Sequence, residues 1–519
     1  MNIFNKRHKF ILLLSLLGLG VSAQDHERIQ HILALEIQDS LGSWRRSDNA
    51  AGLAWDKPTD FSIVRADYGV QSGAFKRPQE ALQTSGPAIY GAGNIHMGKY
   101  YLQGFFSYKR ERLEDVLFNT SLIDPFRDMP YMVLDSNASD WINQHYAMGF
   151  EWATPKFADR WSLGLGMRYQ TSSGAKQRDI RAENNHYVLQ IRPSVTYALH
   201  PRHIVGLHVS YDNMKEESNN RNVNNRVDQG YYLYYGLGHA VPYLGSGTTM
   251  DYKGDKWGLG LQYEYKGNWN VFASSTYILG AETADIGFVQ GRTNGMVLNR
   301  KSSNELVAKR MLSRGVHQVN LNYEMTRNKG MEYWNEFVPG LESEGYINRY
   351  RATRSTYYRD VVQGRYTFLI KGNDAYSWKF DANVDYEKRN DAYLLPISTF
   401  NMENLAYGLS VQKAFTVGSS RASVVSVGGR FLQKQNLTGN YQYGGERPDE
   451  IPATELMQGE LRYGSADYLV VDIPLTYSIK LGDLMGSSMF VRANAYWLNP
   501  ADENMGERKG LQLSLGATF

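Results

Sequence analysis

Apolar and polar residues alternate one by one in many separate stretches of this chain. In Trp161–Tyr169 every odd position is large and apolar, and the even positions are Ser, Gly or Arg. Trp378–Tyr386 repeats the pattern and places Lys379, Asp381 and Asp385 on its polar face. Because successive side chains of a strand point to opposite faces, this period of two predicts strands with one apolar and one wet face.

The final ten residues, Gly510–Phe519, follow the same rule and end on an aromatic side chain. Leu511, Leu513 and Leu515 share one face of this predicted strand with Phe519. A terminal strand of this kind resembles the C-terminal assembly signal of Gram-negative outer-membrane β-barrels. The resemblance implies that Phe519 is read by the barrel-assembly machinery and that the apolar faces meet outer-membrane lipid.

The amino terminus predicts export. Lys6, Arg7 and Lys9 precede an apolar run, Phe10–Val21, and small residues follow at positions 21–23. This order is typical of a cleaved signal peptide over residues 1–23, and the apolar run is too short to span a bilayer as a helix. The chain contains no cysteine, which excludes a lipid anchor, a disulfide framework and a thiolate metal site.

Composition favours a barrel over a helical membrane protein. The mean hydropathy is −0.48, yet the chain carries 37 Tyr and 10 Trp. A barrel reconciles these values, because only alternate strand residues meet lipid while the lumen and loops stay polar. The formal charge of +3 is cancelled when the three signal-peptide cations are removed, so we expect no nucleic-acid partner.

Short and long connections alternate along the chain, as short periplasmic turns and long extracellular loops do in bacterial barrels. Eight short turns predict an all-β, transmembrane antiparallel β-barrel of about 18 strands over residues 59–519, with 14 or 16 strands as alternatives. The long polar stretches include Asn213–Gly254 and Asn328–Tyr357. Six tryptophans lie at predicted strand ends, where interfacial aromatic girdles are found: Trp152, Trp161, Trp257, Trp269, Trp378 and Trp497.

Residues 24–58 do not alternate. Their first half has helix-like apolar spacing, and Asn49-Ala-Ala-Gly-Leu53 follows. This run is similar to the Asn-Pro-Ala-Gly-Leu stretch in the N-terminal hatch of fatty-acid-transporter-type barrels, with Ala50 in place of the proline. The resemblance implies a hatch that includes Asn49, Gly52 and Leu53, while a periplasmic lead-in helix is the alternative. As a whole, the chain resembles uncharacterised outer-membrane β-barrels of Bacteroidota.

The predicted register turns a set of charged side chains into the lumen. Opposed charges that line a barrel create a transverse field and a selective constriction. Alternatively, they neutralise each other or tie the N-terminal segment to the wall. The inward faces are otherwise rich in Gly, Ser, Asn and Gln, which favours a hydrophilic solute over a lipid. The candidates are Arg168, Arg192, Glu264, Glu324, Arg365, Lys379, Asp381, Asp385, Arg430, Asp472 and Arg492.

Three functions fit the sequence. The first is a channel or uptake barrel for a small hydrophilic solute. The second is a non-conducting surface protein that docks a partner protein, with the tyrosine-rich loop Tyr231–Tyr235 as its recognition surface. The third, a membrane-embedded hydrolase, is disfavoured because no metal-binding histidine spacing and no nucleophile elbow occur. We therefore expect no catalytic residue, no metal and no cofactor.

Overall fold

The computed structural model describes residues 31–224, 226, 229–245, 247–287, 291–340, 345–372, 376–418, 423–481 and 487–519. The predicted signal peptide, with Lys6, Arg7 and Lys9, lies outside the described residues. Among the described residues, no helix is both long enough and apolar enough to cross a membrane.

The structure is built almost entirely from antiparallel strands. The strands, in chain order, are β1 (Phe61–Gly73), β2 (Gln83–Met97), β3 (Tyr100–Val116), β4 (Met132–Leu134), β5 (Ser139–Ala153), β6 (Trp161–Lys176), β7 (Arg181–His200), β8 (His203–Arg221), β9 (Gln229–Gly236), β10 (His239–Gly245), β11 (Gly247–Tyr265), β12 (Asn270–Ile286), β13 (Arg292–Met311), β14 (Gly315–Phe337), β15 (Tyr346–Lys371), β16 (Tyr376–Leu394), β17 (Ile397–Val417), β18 (Ser423–Gln442), β19 (Tyr468–Lys480), β20 (Ser488–Pro500) and β21 (Arg508–Thr518).

Eighteen of these strands form one closed barrel, which confirms the predicted fold class and strand number. Each strand pairs with its neighbours in the chain, and β1 pairs with β21 to close the sheet. Beyond the last paired strand residue, the backbone of Phe519 still exchanges two hydrogen bonds with Ser62, at 2.9 and 3.1 Å. Closure leaves the barrel without a free edge.

The outer and inner faces of the wall differ as the alternation predicts. On β11, Leu259 and Leu261 are more than half exposed, whereas Gln262 between the outward positions is buried. The same contrast recurs on β21, where Leu515 is exposed and Ser514 is buried. A closed antiparallel barrel with an apolar outer face is the architecture of outer-membrane proteins, and this chain is an outer-membrane-type β-barrel.

Several strands are longer than their alternation predicts. Most of the polar stretch Asn328–Tyr357 is not a loop but the upper part of the β14–β15 hairpin. Trp257 likewise lies inside β11, eight residues before its end, and not at a strand end. Both predictions were wrong for one reason. Above the bilayer neither face of a strand meets lipid, so the pairing continues while the apolar alternation stops.

Several smaller elements lie at the two ends of the barrel. The N-terminal segment, residues 31–58, contains helix α1 (Ile32–Leu41), 3₁₀ turns at Trp44–Arg46 and Ala50–Gly52, and the short helix α2 (Leu53–Asp56). At the other end, β4, β9 and β10 form a separate three-stranded sheet in the order β10-β9-β4. A π-helical segment (Pro452–Met457), helix α3 (Gln458–Gly464) and a 3₁₀ turn (Glu503–Met505) complete the fold.

Candidate functional site in the barrel lumen

The N-terminal segment packs against the inner wall. Helix α1 begins after His31, whose ring nitrogen Nδ1 lies 3.0 Å from Ser478 Oγ on β19. It buries Leu33 and Leu35 in an apolar cluster that also contains Phe61 at the start of β1. Burial of these side chains fixes the helix against the wall near the periplasmic turns.

Farther along, the segment is held by hydrogen bonds between buried groups. Trp44 Nε1 donates to Glu264 on β11 at 2.6 Å, and the Trp44 ring meets Phe272 edge-on at 5.3 Å. The Asp56 carboxylate accepts the backbone N–H groups of Trp44 and Arg45 at 2.8 and 2.9 Å, which folds the segment back on itself. Burial raises the pKa of the Asp56 carboxyl.

The Asn49-Ala-Ala-Gly-Leu53 run lies at the closest approach of the segment to the wall. Asn49 Nδ2 donates to Gln262 Oε1 at 2.9 Å and also reaches the carbonyl oxygens of Val195 and Leu207. Gly52 turns beneath the Trp44 ring, where a Cβ would fall 2.4 Å from Trp44 Cβ. Asn49, Gly52 and Leu53 are all buried in the lumen.

Three of the predicted lumen-lining residues hold this segment. Arg192 pairs with Asp48 of the segment and, at 3.1 Å, with Glu151 of the wall. Arg492 pairs with Glu36 on α1. Glu264 accepts from Trp44, and its side chain is only 4% exposed. Arg192, Arg492 and Glu264 therefore hold the N-terminal segment to the wall, and the Glu264 carboxylate is not exposed to the water of the lumen.

The remaining predicted lumen residues make contacts along the wall. Arg168 stacks on the Phe105 ring at 5.4 Å, and Arg365 lines a cavity beside the segment. The others form pairs at the distances given: Glu324 with Lys301 (2.8 Å), Lys379 with Asp381 (3.8 Å), Asp385 with Asn383 (2.8 Å) and Arg430 with Asp472 (3.6 Å).

The extracellular end is closed by the loop of residues 117–138, between β3 and β5. Glu216 on β8 is fully buried, and its carboxylate accepts the backbone N–H groups of Leu122 and Ile123 at 3.0 Å each. Arg127 of the loop pairs with the buried Glu282 on β12 at 2.9 Å. These inward carboxylates draw the loop into the barrel mouth.

The tyrosine-rich loop forms the core of the cap. Tyr231 and Tyr234 are buried, and Tyr234 Oη lies 3.2 Å from Met457 Sδ of the π-helical segment. Tyr131 of the neighbouring loop is also fully buried, against Gly295 of β13. The expectation that Tyr231–Tyr235 forms a recognition surface was therefore wrong for Tyr231 and Tyr234, because these rings hold the cap together.

A chamber of about 510 Å³ lies beneath the cap. We call it the upper chamber. Arg77 pairs with Glu460 at 2.5 Å and stacks on Phe126 at 3.3 Å, while Arg359 pairs with Glu387 at 2.6 Å. Burial raises the pKa of the Asp128 carboxyl, and Arg389 opposes this rise. The charged residues that line it are Arg77, Arg359, Arg389, Lys434, Asp124, Asp128, Asp385, Glu387 and Glu460.

Two smaller cavities flank the N-terminal segment, and strand β16 connects one of them with the upper chamber. Lys379 and Asp381 line a cavity of about 280 Å³ beside α1, together with Arg365. Asp385 and Glu387, farther along the same inward face of β16, line the upper chamber. A second cavity of about 300 Å³ lies between α1 and β16–β21.

The sequence interpretation missed the residues of the cap that shape the upper chamber. Arg77 and Arg389, which line the chamber, lie in a loop and in the upper part of a strand, where no apolar alternation marks the inward face. The same holds for Arg127, which holds the loop of residues 117–138 through Glu282. One signal was available. Glu216 and Glu282 continue the inward parity of β8 and β12 beyond the apolar band, which predicts buried charges that need partners from a loop.

Comparisons with solved structures find barrels at very low identity. BauA, the ferric preacinetobactin receptor from Acinetobacter baumannii, is 8% identical, with a TM-score of 0.39 over 89% of this chain and 80% of that chain. Pseudomonas aeruginosa OpdK, solved with vanillate, is 11% identical, with a TM-score of 0.35 over 89% of this chain and 99% of that chain. No curated protein matches the sequence.

One family model covers the whole barrel. It matches residues 50–519, from the 3₁₀ turn in the N-terminal segment to the C-terminal phenylalanine. The match includes every barrel strand and all loops of the cap. The chain therefore belongs to the family of unknown function DUF6850.

Proposed function

We propose that this chain is a gated uptake barrel for a small hydrophilic solute in the outer membrane. The observation that carries the proposal is the continuous polar face of β16. Its inward residues Lys379 and Asp381 line the cavity beside α1, and Asp385 and Glu387 line the upper chamber. A polar solute that enters from the cap has hydrogen-bonding partners along this wall towards the periplasm.

Two constrictions make this barrel a gated one. The loop of residues 117–138 fills the mouth through Glu216 and Arg127. The N-terminal segment crosses the periplasmic end of the lumen, from α1 against β19 and β20 to Asn49 and Ala51 against β11 and β7. Solute passage therefore requires movement of both elements, and the ion pairs that hold them are the expected points of release.

Planar-bilayer conductance tests the proposal with four proteins: the full chain, a deletion of residues 25–58, Glu216→Ala, and the combination. Glu216→Ala removes the acceptor that holds the backbone of Leu122 and Ile123. We expect steady conductance only in the combined variant, because each single change leaves one constriction in place. Glu217→Ala is the matched control, since Glu217 is exposed and pairs with Lys215.

In the open combined variant, Arg365→Ser should shift the reversal potential towards cations, because it removes a fixed positive charge from the lumen. Arg160→Ser, at the exposed periplasmic turn between β5 and β6, should leave selectivity unchanged. A combined variant that inserts and stays electrically silent would contradict the proposal. The non-conducting docking protein, which the two closed ends also fit, would then be the better function.

A further inference from the structure

The β14–β15 hairpin rises far above the apolar band of the barrel. Trp334 follows Gly315, at the periplasmic end of β14, by 19 residues. At ~3.3 Å per residue and a tilt of ~40°, this places Trp334 roughly 48 Å from that end, whereas the apolar band is only ~25 Å tall. Lipid therefore does not explain why Trp334 is 65% exposed.

Trp334 and its cross-strand partner Tyr350 form one wall of a cleft of about 370 Å³. We call this the mouth cleft. Tyr350 is 48% exposed, so both rings present faces to water. The opposite wall consists of β10 and the loop after β18, which contribute Val241 and Tyr443. The volume lies within the range of small-molecule sites.

The floor of the mouth cleft is an ordered polar network. Tyr393 Oη donates to Glu332 at 2.9 Å, and Arg354 lies 3.6 Å from the same carboxylate. His239 stacks on Tyr393 at 3.9 Å, and its Nε2 lies 2.8 Å from Ser398 Oγ. The floor is therefore rigid and offers hydrogen-bond donors and acceptors at fixed positions.

The charges of the mouth cleft balance. Glu332 and Glu446 face Arg354 and Arg447, so the lining favours neither an anion nor a cation. Its aliphatic side chains are few, because apart from Ala240, Val241 and Pro396 the walls are aromatic or polar. An apolar polypeptide would displace water from the Glu332 carboxylate and the Arg354 guanidinium and offer no hydrogen bonds in return, which is costly.

We propose that the mouth cleft binds a carbohydrate. A sugar ring has one face of C–H groups, which packs on aromatic rings such as those of Trp334 and Tyr350. Its hydroxyl edge donates to carboxylates and accepts from guanidinium groups, which Glu332 and Arg354 supply. The inference goes beyond transport, because binding at the mouth cleft does not require an open lumen.

Saturation-transfer NMR of the full-length barrel in detergent tests this inference. The probes are maltotriose, cellotriose, chitotriose, mannotriose and xylotriose, each at millimolar concentration. We expect transfer to at least one trisaccharide, about tenfold weaker binding in Trp334→Ala, and retained binding in Trp334→Phe. Trp269→Ala is the matched control, because Trp269 is an exposed tryptophan at a periplasmic turn. Heat-modifiable migration on gels verifies that each variant is folded.

Two results would overturn the proposal. One is the absence of transfer to all five trisaccharides in the wild-type protein. The other is binding that Trp334→Ala leaves unchanged. As a further arm, a Val/Leu-rich heptapeptide is added in place of the saccharides. Binding of that peptide alone, lost in Trp334→Ala, would assign the mouth cleft to a polypeptide and reject the carbohydrate.

Discussion

Gly164 on the inner face of β6 lies directly under Ala51, so that a Cβ at position 164 would fall 2.2 Å from the backbone nitrogen of Ala51. Two residues farther along the same face, a Cβ at Gly166 would meet nothing closer than Arg192 Nε at 3.4 Å. The N-terminal segment therefore covers Gly164 and leaves room for a side chain at Gly166.

We therefore predict that Gly164→Ala displaces the N-terminal segment from the wall, whereas Gly166→Ala does not. The barrel itself should remain folded in both variants, because the added methyl group points into the lumen. Limited proteolysis from the periplasmic side measures the change as cleavage within residues 31–58. Equal protection in the two variants would mean that the segment does not rest on β6.

The outward register predicts a second contrast on the same strand. Leu165→Arg should cost about 2–4 kcal/mol of barrel stability, because Leu165 is exposed on the lipid face. Gly166→Ser, on the lumen face, should have little effect. Denaturant unfolding of the barrel in lipid vesicles gives both free energies. Similar losses in the two variants would show that the inward and outward faces are assigned incorrectly.

A third prediction concerns the buried ion pair of Lys176 and Asp135, which ties the end of β6 to the loop of residues 117–138. Lys176→Met leaves a buried carboxylate without its cation and should cost about 3–5 kcal/mol. Lys215→Met, in the solvated pair with Glu217, should cost no more than about 1 kcal/mol. Thermal unfolding in detergent measures both, and a cost below that of the Lys215 control would contradict the burial of the pair.

A fourth prediction follows from His239 in the cap. Burial lowers the pKa of His239 to about 4, below its ordinary value of ~6.5. As the pH falls, the exposed imidazole of an opened cap therefore binds a proton at a higher pH than the buried imidazole of the closed cap. The stability of the closed cap is complete above pH 6.5 and falls as the pH drops towards 4. Relative to their intrinsic exchange rates at each pH, the backbone amides of β10 should therefore exchange faster at pH 5 than above pH 6.5. His239→Gln should weaken this pH dependence, and an unchanged dependence would contradict it.

The wall of the barrel could be predicted from the sequence because its rules are local. In Trp161–Tyr169, each side chain faces lipid or lumen according to its parity, and the bilayer imposes that choice at every second residue. The same parity placed Arg192, Arg365 and Arg492 on the inward face, and the count of eight short turns predicted the strand number. Parity alone does not identify the partners of Arg192 and Arg492 in the N-terminal segment, since these lie 144 and 456 residues away.

The cap could not be predicted because its contacts, too, join residues that lie far apart in the chain. Glu216 accepts from the backbone of Leu122 across 94 residues of chain. The inward parity of Glu216 predicts a buried charge, but nothing at Leu122 identifies its backbone as the partner. In the Asn328–Tyr357 stretch, water replaces lipid on the outer side, so polar residues occupy both faces of a paired hairpin. The polar composition of this stretch therefore does not distinguish a paired hairpin from a loop.

The contacts of the N-terminal segment also bear on the order in which the parts of this protein fold. The segment precedes β1 in the chain, yet Asn49 bonds to Gln262 across 213 residues, and Glu36 pairs with Arg492 across 456. Its docking site therefore exists only after β20 has joined the wall. We expect the segment to be the last part of the lumen to fold, so a newly inserted barrel passes through an unobstructed stage on its periplasmic side. During that stage the cap at the extracellular end alone closes the lumen, so a maturing copy stays sealed only if the cap has already formed.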